Sequence, residues 1–304
     1  MTSLRAYAYA WLVKRNVRAR LGPMLDIAQV RKTLEAPAFP DPGGVTYAPG
    51  SVGGIAGEWV YRDAAAGKPR LLYLHGGGFI ACSARTHRPV TGYLAQRGFA
   101  VFAPNYRLAP EHPFPAAIED AVAVWRAFAA EGPAVLAGDS AGGNLALALL
   151  LSARDAGLTL PRAAALFSPA TDFLGAGVSH TANAARDAMF APEGLARLLP
   201  VYLAGADPAQ PLASPLYADL TGLPPLLLHV GERELLRDDS TRLAEQAREA
   251  GVAVDLTVFP VVPHVWQFAH GFLPEARRSL DRAVAFLTAQ GAEAAGQFRT
   301  RAGS

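Results

Sequence analysis

A single cysteine, Cys82, stands among the 304 residues, so the chain holds no internal disulfide and suits a reducing compartment. Charge of one sign is also scarce: 28 Lys and Arg against 26 Asp and Glu leave a net charge of +2. Basic residues gather only at Lys14, Arg15, Arg18 and Arg20, which offers no stripe for nucleic acid. Long hydrophobic runs are missing too, since the apolar stretch around Leu145 to Leu151 is too short to span a bilayer. Tyr7 to Val13 is apolar, but Lys14 and Arg15 follow it instead of preceding it and no small-residue cleavage pattern comes after. That is a poor signal peptide. The expectation is a cytoplasmic protein without stable membrane insertion, long enough to bury a large core and free of internal repeats.

The pattern that is present alternates. Residues 4 to 20 and 24 to 35 read as helices, and Pro37, Pro40, Pro42, Gly43 and Gly44 then mark a loop. Val45 to Tyr47 and Ile55 to Tyr61 suggest two antiparallel strands. Further on, strands are predicted near 70 to 75, 99 to 105, 134 to 138, 163 to 167, 226 to 231 and 253 to 259. Helices are predicted near 87 to 97, 115 to 130, 142 to 156, 238 to 250 and 274 to 289. Such alternation builds a mostly parallel sheet of eight strands covered on both faces. A proline-containing insertion over about 172 to 222 interrupts it. Three parts follow: N-terminal helices over 1 to 44, a core over 45 to 290 carrying the insertion, and a mobile tail over 291 to 304. Leu4, Tyr7, Ala8 and Trp11 recur at helical spacing, enough for one apolar face against the core or a substrate.

Gly138-Asp139-Ser140-Ala141-Gly142 places a serine between glycines where the apolar strand Val135 to Ala137 gives way to an Ala/Leu-rich helix. This is the pattern of a nucleophile elbow. Glycines at both ends let strand and helix approach closely, and the turn holds the serine hydroxyl exposed in a strained conformation. The helix start directs its amides and positive dipole end toward any anion formed beside Ser140.

Upstream, the strand Leu71 to Leu74 runs into His75-Gly76-Gly77-Gly78. Successive glycines can turn amides inward, so Gly77 and Gly78, with Ala141, are the expected oxyanion-hole donors, and Gly76 is the substitute. His75 abuts the site but sits at a strand end, where a histidine orients a loop. The better base is His264, on the loop after the strand Val254 to Phe259 and on the same sheet edge as Ser140. An acid is expected between them, after the strand Leu226 to Gly231, where Glu232, Glu234, Asp238 and Asp239 are available. Asp238 and Asp239 suit the cap and first turn of the following helix, and Glu234 stands earlier on the loop, within reach of His264.

These motifs resemble those of the hormone-sensitive-lipase-like branch of the α/β-hydrolases, the bacterial family IV esterases, over nearly the whole chain. His75-Gly76-Gly77-Gly78, Gly138-Asp139-Ser140-Ala141-Gly142, Pro263-His264 and the stretch Tyr106 to Ala117 carry the resemblance. It departs at Glu234-Leu235, where many members have aspartate and proline, and at Cys82, where glycine is common. Cys82 reads as a small buried side chain, with a redox-sensitive thiol as the alternative.

The resemblance implies an α/β-hydrolase fold with a helical cap built from the N-terminal helices and the insertion. It implies hydrolysis of short- to medium-chain carboxylic esters by Ser140, Glu234 and His264, with neither metal nor organic cofactor. Met24, Phe190 and Leu198 are candidates for lining the pocket, and a homodimer through the edge strand 253 to 259 is the expected assembly. An amidase or arylformamidase-like hydrolase with the same triad, or a small-molecule receptor on the same scaffold, are the alternatives. Receptors of this kind tend to lose the histidine that His264 supplies.

Overall fold

The computed structural model describes residues 2–21, 26–36 and 39–301, the last ten as backbone only. Eight strands form one sheet: β1 (Thr46–Val52), β2 (Ile55–Tyr61), β3 (Arg70–Leu74), β4 (Ala100–Pro104), β5 (Ala134–Asp139), β6 (Ala164–Phe167), β7 (Leu226–Gly231) and β8 (Val254–Phe259). Their order is β1-β2-β4-β3-β5-β6-β7-β8, antiparallel at β1/β2 and β2/β4 and parallel from β4 to β8. This is the mostly parallel sheet expected from the alternation, in the α/β-hydrolase arrangement that the resemblance implies. β1 runs further than Val45 to Tyr47, through Pro49 and Gly50 to Val52. It is an edge strand, and an edge has one row of backbone groups without a neighbour, so a proline there breaks no ladder.

The helices are α1 (Leu4–Val13), α2 (Ala19–Leu21), α3 (Ile27–Leu34), α4 (Arg88–Gln96), α5 (Ala116–Ala130), α6 (Ala141–Asp155), α7 (Ser179–Ala182), α8 (Pro192–Leu203), α9 (Arg237–Glu249) and α10 (Pro274–Arg301). A π-helical turn at Lys14–Arg18 joins α1 to α2. The insertion over 172 to 222 supplies α7, α8 and a 3₁₀ turn at Pro215–Tyr217. α10 extends beyond residue 289, and the expected tail from Gly291 continues it as backbone helix to Arg301.

Because side chains alternate across a strand, each central strand feeds both faces of the sheet. Leu72, Phe102, Leu136, Leu166 and Leu228 lie in one apolar cluster with α5, α6 and α9. Leu71, Val101, Val135, Ala165 and Leu227 lie in the other, with α4 and α10. In register, Leu71 stands opposite Val101 and Val135, and Leu72 opposite Phe102 and Leu136. α6 is the most enclosed helix end, with every residue from Ala141 to Leu151 buried. Its depth places the turn before it at the C-terminal edge of the sheet, where α/β folds open their sites.

One expectation reverses. The apolar stripe of α1 faces outward: Leu4 is 87 % exposed, Tyr7 49 % and Trp11 58 %, and Ala8 is exposed as well. The face turned to the protein is Ala6, Tyr9 and Val13, where Tyr9 packs edge-on against Phe39 and Phe272. Periodicity located a stripe, and the flanking contacts of Ser3 with Glu275 and of Arg5 with Phe272 set the rotation that turns it away. Among the described residues, no helix is long and apolar enough to cross a membrane.

The burial difference predicts two stabilities. Trp11→Ser should change the unfolding free energy by less than about 0.5 kcal/mol, as surface substitutions do. Leu147→Ala, at a fully buried position of α6, should cost about 2–5 kcal/mol. Denaturant titration of both variants is the check, and equal losses would show that the outer face of α1 is packed.

Candidate active site

Five loops, after β3, β5, β6, β7 and β8, leave the C-terminal edge of the sheet side by side. The turn between β5 and α6 carries Ser140 at φ 54° and ψ −121°, a conformation that costs of order 1–3 kcal/mol outside glycine. The surroundings impose it. Ser140 N–H donates to Phe167 O at 2.8 Å, and its carbonyl accepts from the N–H groups of Asn144 at 3.1 Å and Ala170 at 3.2 Å. A Cβ on Gly142 would stand 2.1 Å from Leu74 O, and one on Gly138 would stand 2.5 Å from Gly142 O. Both glycines are therefore needed for strand β3, strand β5 and helix α6 to close on one another.

His264 follows β8 and is buried, and the next residue, Val265, takes a left-handed φ of 49°. Its Nδ1 lies 2.6 Å from Glu234 Oε2. Glu234, 1 % exposed, uses its other oxygen to accept from Ser168 Oγ at 2.8 Å and from the N–H of Gly231. With the carboxylate filled in this way, Nδ1–H is the donor, and Nε2 keeps its lone pair. Nε2 is buried and has no hydrogen-bond partner among the described residues. Burial pulls the His264 pKa down, but the Glu234 hydrogen bond and charge outweigh it, and the net direction is upward from 6.5. Ser140 and His264 both line one cavity of about 1650 Å³.

Beside Ser140, the β3 loop holds Gly77 at φ 117° and Gly78 at φ 64°, a path open to glycine. The N–H groups of Gly77, Gly78 and Ala141 have no partner among the described residues, whereas that of Gly76 is spent on Asp139 Oδ1. Gly76 therefore cannot substitute as a donor. His75 is fully buried, stacks on Tyr106 with ring centroids 4.1 Å apart and donates from Nδ1 to Gly76 O. Burial and the neighbouring His87 hold its pKa down to about 3. It does not line the cavity.

Of the three pocket candidates, Phe190 sets its ring against His264 with centroids 4.7 Å apart. Leu198 lies over Gly78, its Cδ1 2.7 Å from where a Cβ would stand. Both line the cavity. Met24 lies outside the described residues.

Asp238 and Asp239 occupy the first turn of α9 as expected, yet neither caps it. The cap position is Leu236, without a side-chain bond. Asp239 Oδ2 accepts from the N–H of Thr171 at 2.7 Å and of Asp172 at 2.9 Å, and Oδ1 meets His180 Nε2 at 3.1 Å. Asp238 accepts from Ser179 N–H at 2.8 Å. Tertiary donors from Thr171 and the insertion that follows it outcompete the local helix amides, so these two aspartates hold the start of the insertion to α9.

Asp139 escaped the sequence reading. It is buried beside Ser140 and accepts from Tyr73 OH at 2.7 Å and Gly76 N–H at 3.2 Å, with His87 Nε2 3.2 Å away. Burial raises its pKa, but His87 and Tyr73 outweigh that and lower it. The available signal was its place inside the Gly-Asp-Ser motif, where a carboxylate has no apolar role. Cys82 is half-buried at φ 75°, and burial pushes its thiol up to about 12, which opposes the redox-sensitive alternative. Among the described residues no cluster of three or more His, Cys, Asp or Glu side chains is placed to hold a metal ion.

A family profile described as alpha/beta hydrolase fold matches residues 71–268. An acetyl-hydrolase of Streptomyces hygroscopicus is 47 % identical over 242 residues, 78 % of this chain and 81 % of that protein. An esterase of Acinetobacter venetianus is 35 % identical over 82 % of this chain and 84 % of its own length. Among solved structures, a hormone-sensitive lipase from a metagenome library superposes with a TM-score of 0.90 at 38 % identity, covering 96 % of this chain and 100 % of that one. An esterase from the bacterial hormone-sensitive lipase family superposes with a TM-score of 0.89 at 39 % identity, covering 95 % and 99 %. With the Gly-Asp-Ser-Ala-Gly turn, the triple-glycine loop and the fold agreeing, the chain belongs to the α/β-hydrolase superfamily, in its hormone-sensitive-lipase-like branch of carboxylic ester hydrolases.

Proposed function

We propose that the protein hydrolyses short- to medium-chain carboxylic esters through an acyl intermediate on Ser140. The observation that carries this reading is the buried His264–Glu234 contact at 2.6 Å, which leaves His264 Nε2 as a free acceptor in the cavity that Ser140 lines. Ser140 Oγ attacks the ester carbonyl while Nε2 takes its proton. The N–H groups of Gly77, Gly78 and Ala141 stabilise the tetrahedral oxyanion. The C–O bond then breaks, the imidazolium returns its proton to the leaving alcohol, and a water activated by His264 hydrolyses the acyl-serine. Glu234 fixes the Nδ1–H tautomer and offsets the positive charge that forms.

The acyl range rests on weaker support. The relative named acetyl-hydrolase favours a short acyl group, and Phe190 and Leu198 bring apolar surface close to His264 and Gly78. No observation favours the amidase or receptor alternatives. The reading extends to a cytoplasmic homodimer through β8, an edge strand whose Val258 is exposed, and light scattering after size exclusion tests the dimer.

Three measurements test the reading. On p-nitrophenyl esters from acetate to palmitate, turnover should be greatest at the short end, and Ser140→Ala should lose about 10⁴-fold or more. Retention of a tenth of wild-type activity would dismiss Ser140 as nucleophile.

Protonated His264 cannot accept the serine proton, and its pKa is raised. Activity should therefore be lost as pH falls through an apparent pKa above 6.5, the ordinary histidine value. A flat profile from pH 5 to 8 with chemistry rate-limiting would count against His264 as base.

Glu234→Gln should lower kcat by three to four orders of magnitude, about the cost of losing the orienting carboxylate in a triad. Asp239→Asn should cost stability more than kcat, because its bonds hold Thr171 and Asp172. Near-normal kcat in Glu234→Gln would overturn the assignment.

A further inference from the structure

Asp187 lies in the insertion between α7 and α8, is 1 % exposed, and has no part in the proton transfers above. Its carboxylate is filled by three backbone donors. Oδ1 accepts from Met189 N–H at 2.7 Å and Phe190 N–H at 2.9 Å, and Oδ2 accepts from Leu235 N–H at 2.7 Å. Leu235 follows Glu234 in the chain, and Phe190 is the ring set against His264. One side chain therefore bonds the insertion and the Glu234 loop at once.

The neighbouring chain is held from two more directions. The Arg18 guanidinium, from the N-terminal segment, donates to the carbonyls of Asp187 and, at 2.9 Å, of Ala184. Asn183 Nδ2 donates to the carbonyls of Glu232 and Glu234 at 2.9 Å each. The N-terminal segment thus bonds the insertion, and the insertion bonds the Glu234 loop, both around Asp187 and both through directional hydrogen bonds.

We propose that Asp187 is a positioning residue that couples the seating of the cap to the alignment of the His264–Glu234 pair. The inference rests on the ester-hydrolase reading of that pair. Fixing Leu235 N–H fixes the backbone from which the Glu234 carboxylate reaches His264. Fixing Phe190 N–H holds a ring edge-on to the imidazole and limits its swing. The carboxylates acting on His264 come from three elements: Glu234 after β7, Asp187 in the insertion and Asp139 before α6, and each favours the imidazolium. A cap that is lifted from its seat takes both Phe190 and the Asp187 charge away from the base. Hydrolysis is thereby tied to the covered state of the pocket.

Asp187→Asn tests this, since it keeps the shape while removing the charge and setting an amide against backbone donors. With p-nitrophenyl acetate, kcat per folded molecule should fall about 10- to 100-fold, the scale of a misplacement near 1 Å. KM should change less than about threefold, and the acid limb of kcat/KM should move down by roughly half a pH unit as one favourable charge is lost. Arg18→Gln, which leaves the carboxylate in place, should lower kcat by a smaller factor and leave the limb where it is. Folded fraction is read from circular dichroism and from the amplitude of denaturant unfolding. If the kcat loss vanishes on that normalisation and the limb does not move, Asp187 is only a stabilising contact and the proposal is overturned. Ser140→Ala separates the two ideas. Activity surviving there defeats the serine reading, whereas an inactive Ser140→Ala beside an Asp187→Asn enzyme with wild-type kcat and pH limb defeats the positioning role alone.

Discussion

A carboxylate and an imidazole buried together are tolerated only when nearly every lone pair and proton has a use, because desolvating either group costs several kcal/mol. Glu234 and His264 meet that condition through three neighbouring strands of the sheet. Glu234 stands after β7 and is filled by Ser168 at the end of β6 and by Gly231 on its own strand. His264 arrives from the end of β8 and contributes Nδ1–H. The parallel pairing of β6, β7 and β8 puts those three loop starts next to one another, so the sheet register is what makes the buried pair affordable. His264 Nε2 alone is left over, and the proposed reaction uses it.

The same accounting explains the polar groups on the other side of Ser140. Asp139 gathers Tyr73, Gly76 and His87, and His75 gives its carbonyl to Tyr106. These bonds anchor the start of the glycine loop while the N–H groups of Gly77 and Gly78 stay without partners among the described residues. A loop rigid at one end and unsatisfied at the other is suited to hold amides in place for an oxyanion, since the reorganisation has been completed during folding. The strained φ of Ser140 belongs to this arrangement, being held by the close approach of α6 to β3 and β5.

Much of this was legible from local pattern. Alternating apolar residues locate strands, Gly138 and Gly142 mark a tight turn, and three glycines after a strand mark a loop whose amides can turn inward. Ser140, His264 and Glu234 stand out in the sequence because each follows a strand of a parallel sheet, and such strands all point their ends at one edge. α1 was misread for an equally physical reason. Spacing shows that Leu4, Tyr7, Ala8 and Trp11 share a face, but not whether that face meets protein or solvent. Asp238 and Asp239 were misread because a helix N-terminus offers local donors to an aspartate, while Ser179, Thr171 and Asp172 are brought in only by folding.

By itself, then, the sequence determined the order of strands and helices, the positions of the two glycine turns and the residue types available at the ends of β3, β5, β7 and β8. Those properties depend on neighbours a few residues away, through backbone dihedrals and side-chain alternation. Tertiary structure decided the rest: that the Gly76 N–H is occupied by Asp139, that α1 turns its aromatic stripe outward, and that Asp187 reaches Leu235 across 48 residues and His87 reaches Asp139 across 52. A buried polar group takes whichever partner packing delivers to it, and that choice is made only when distant segments are brought together.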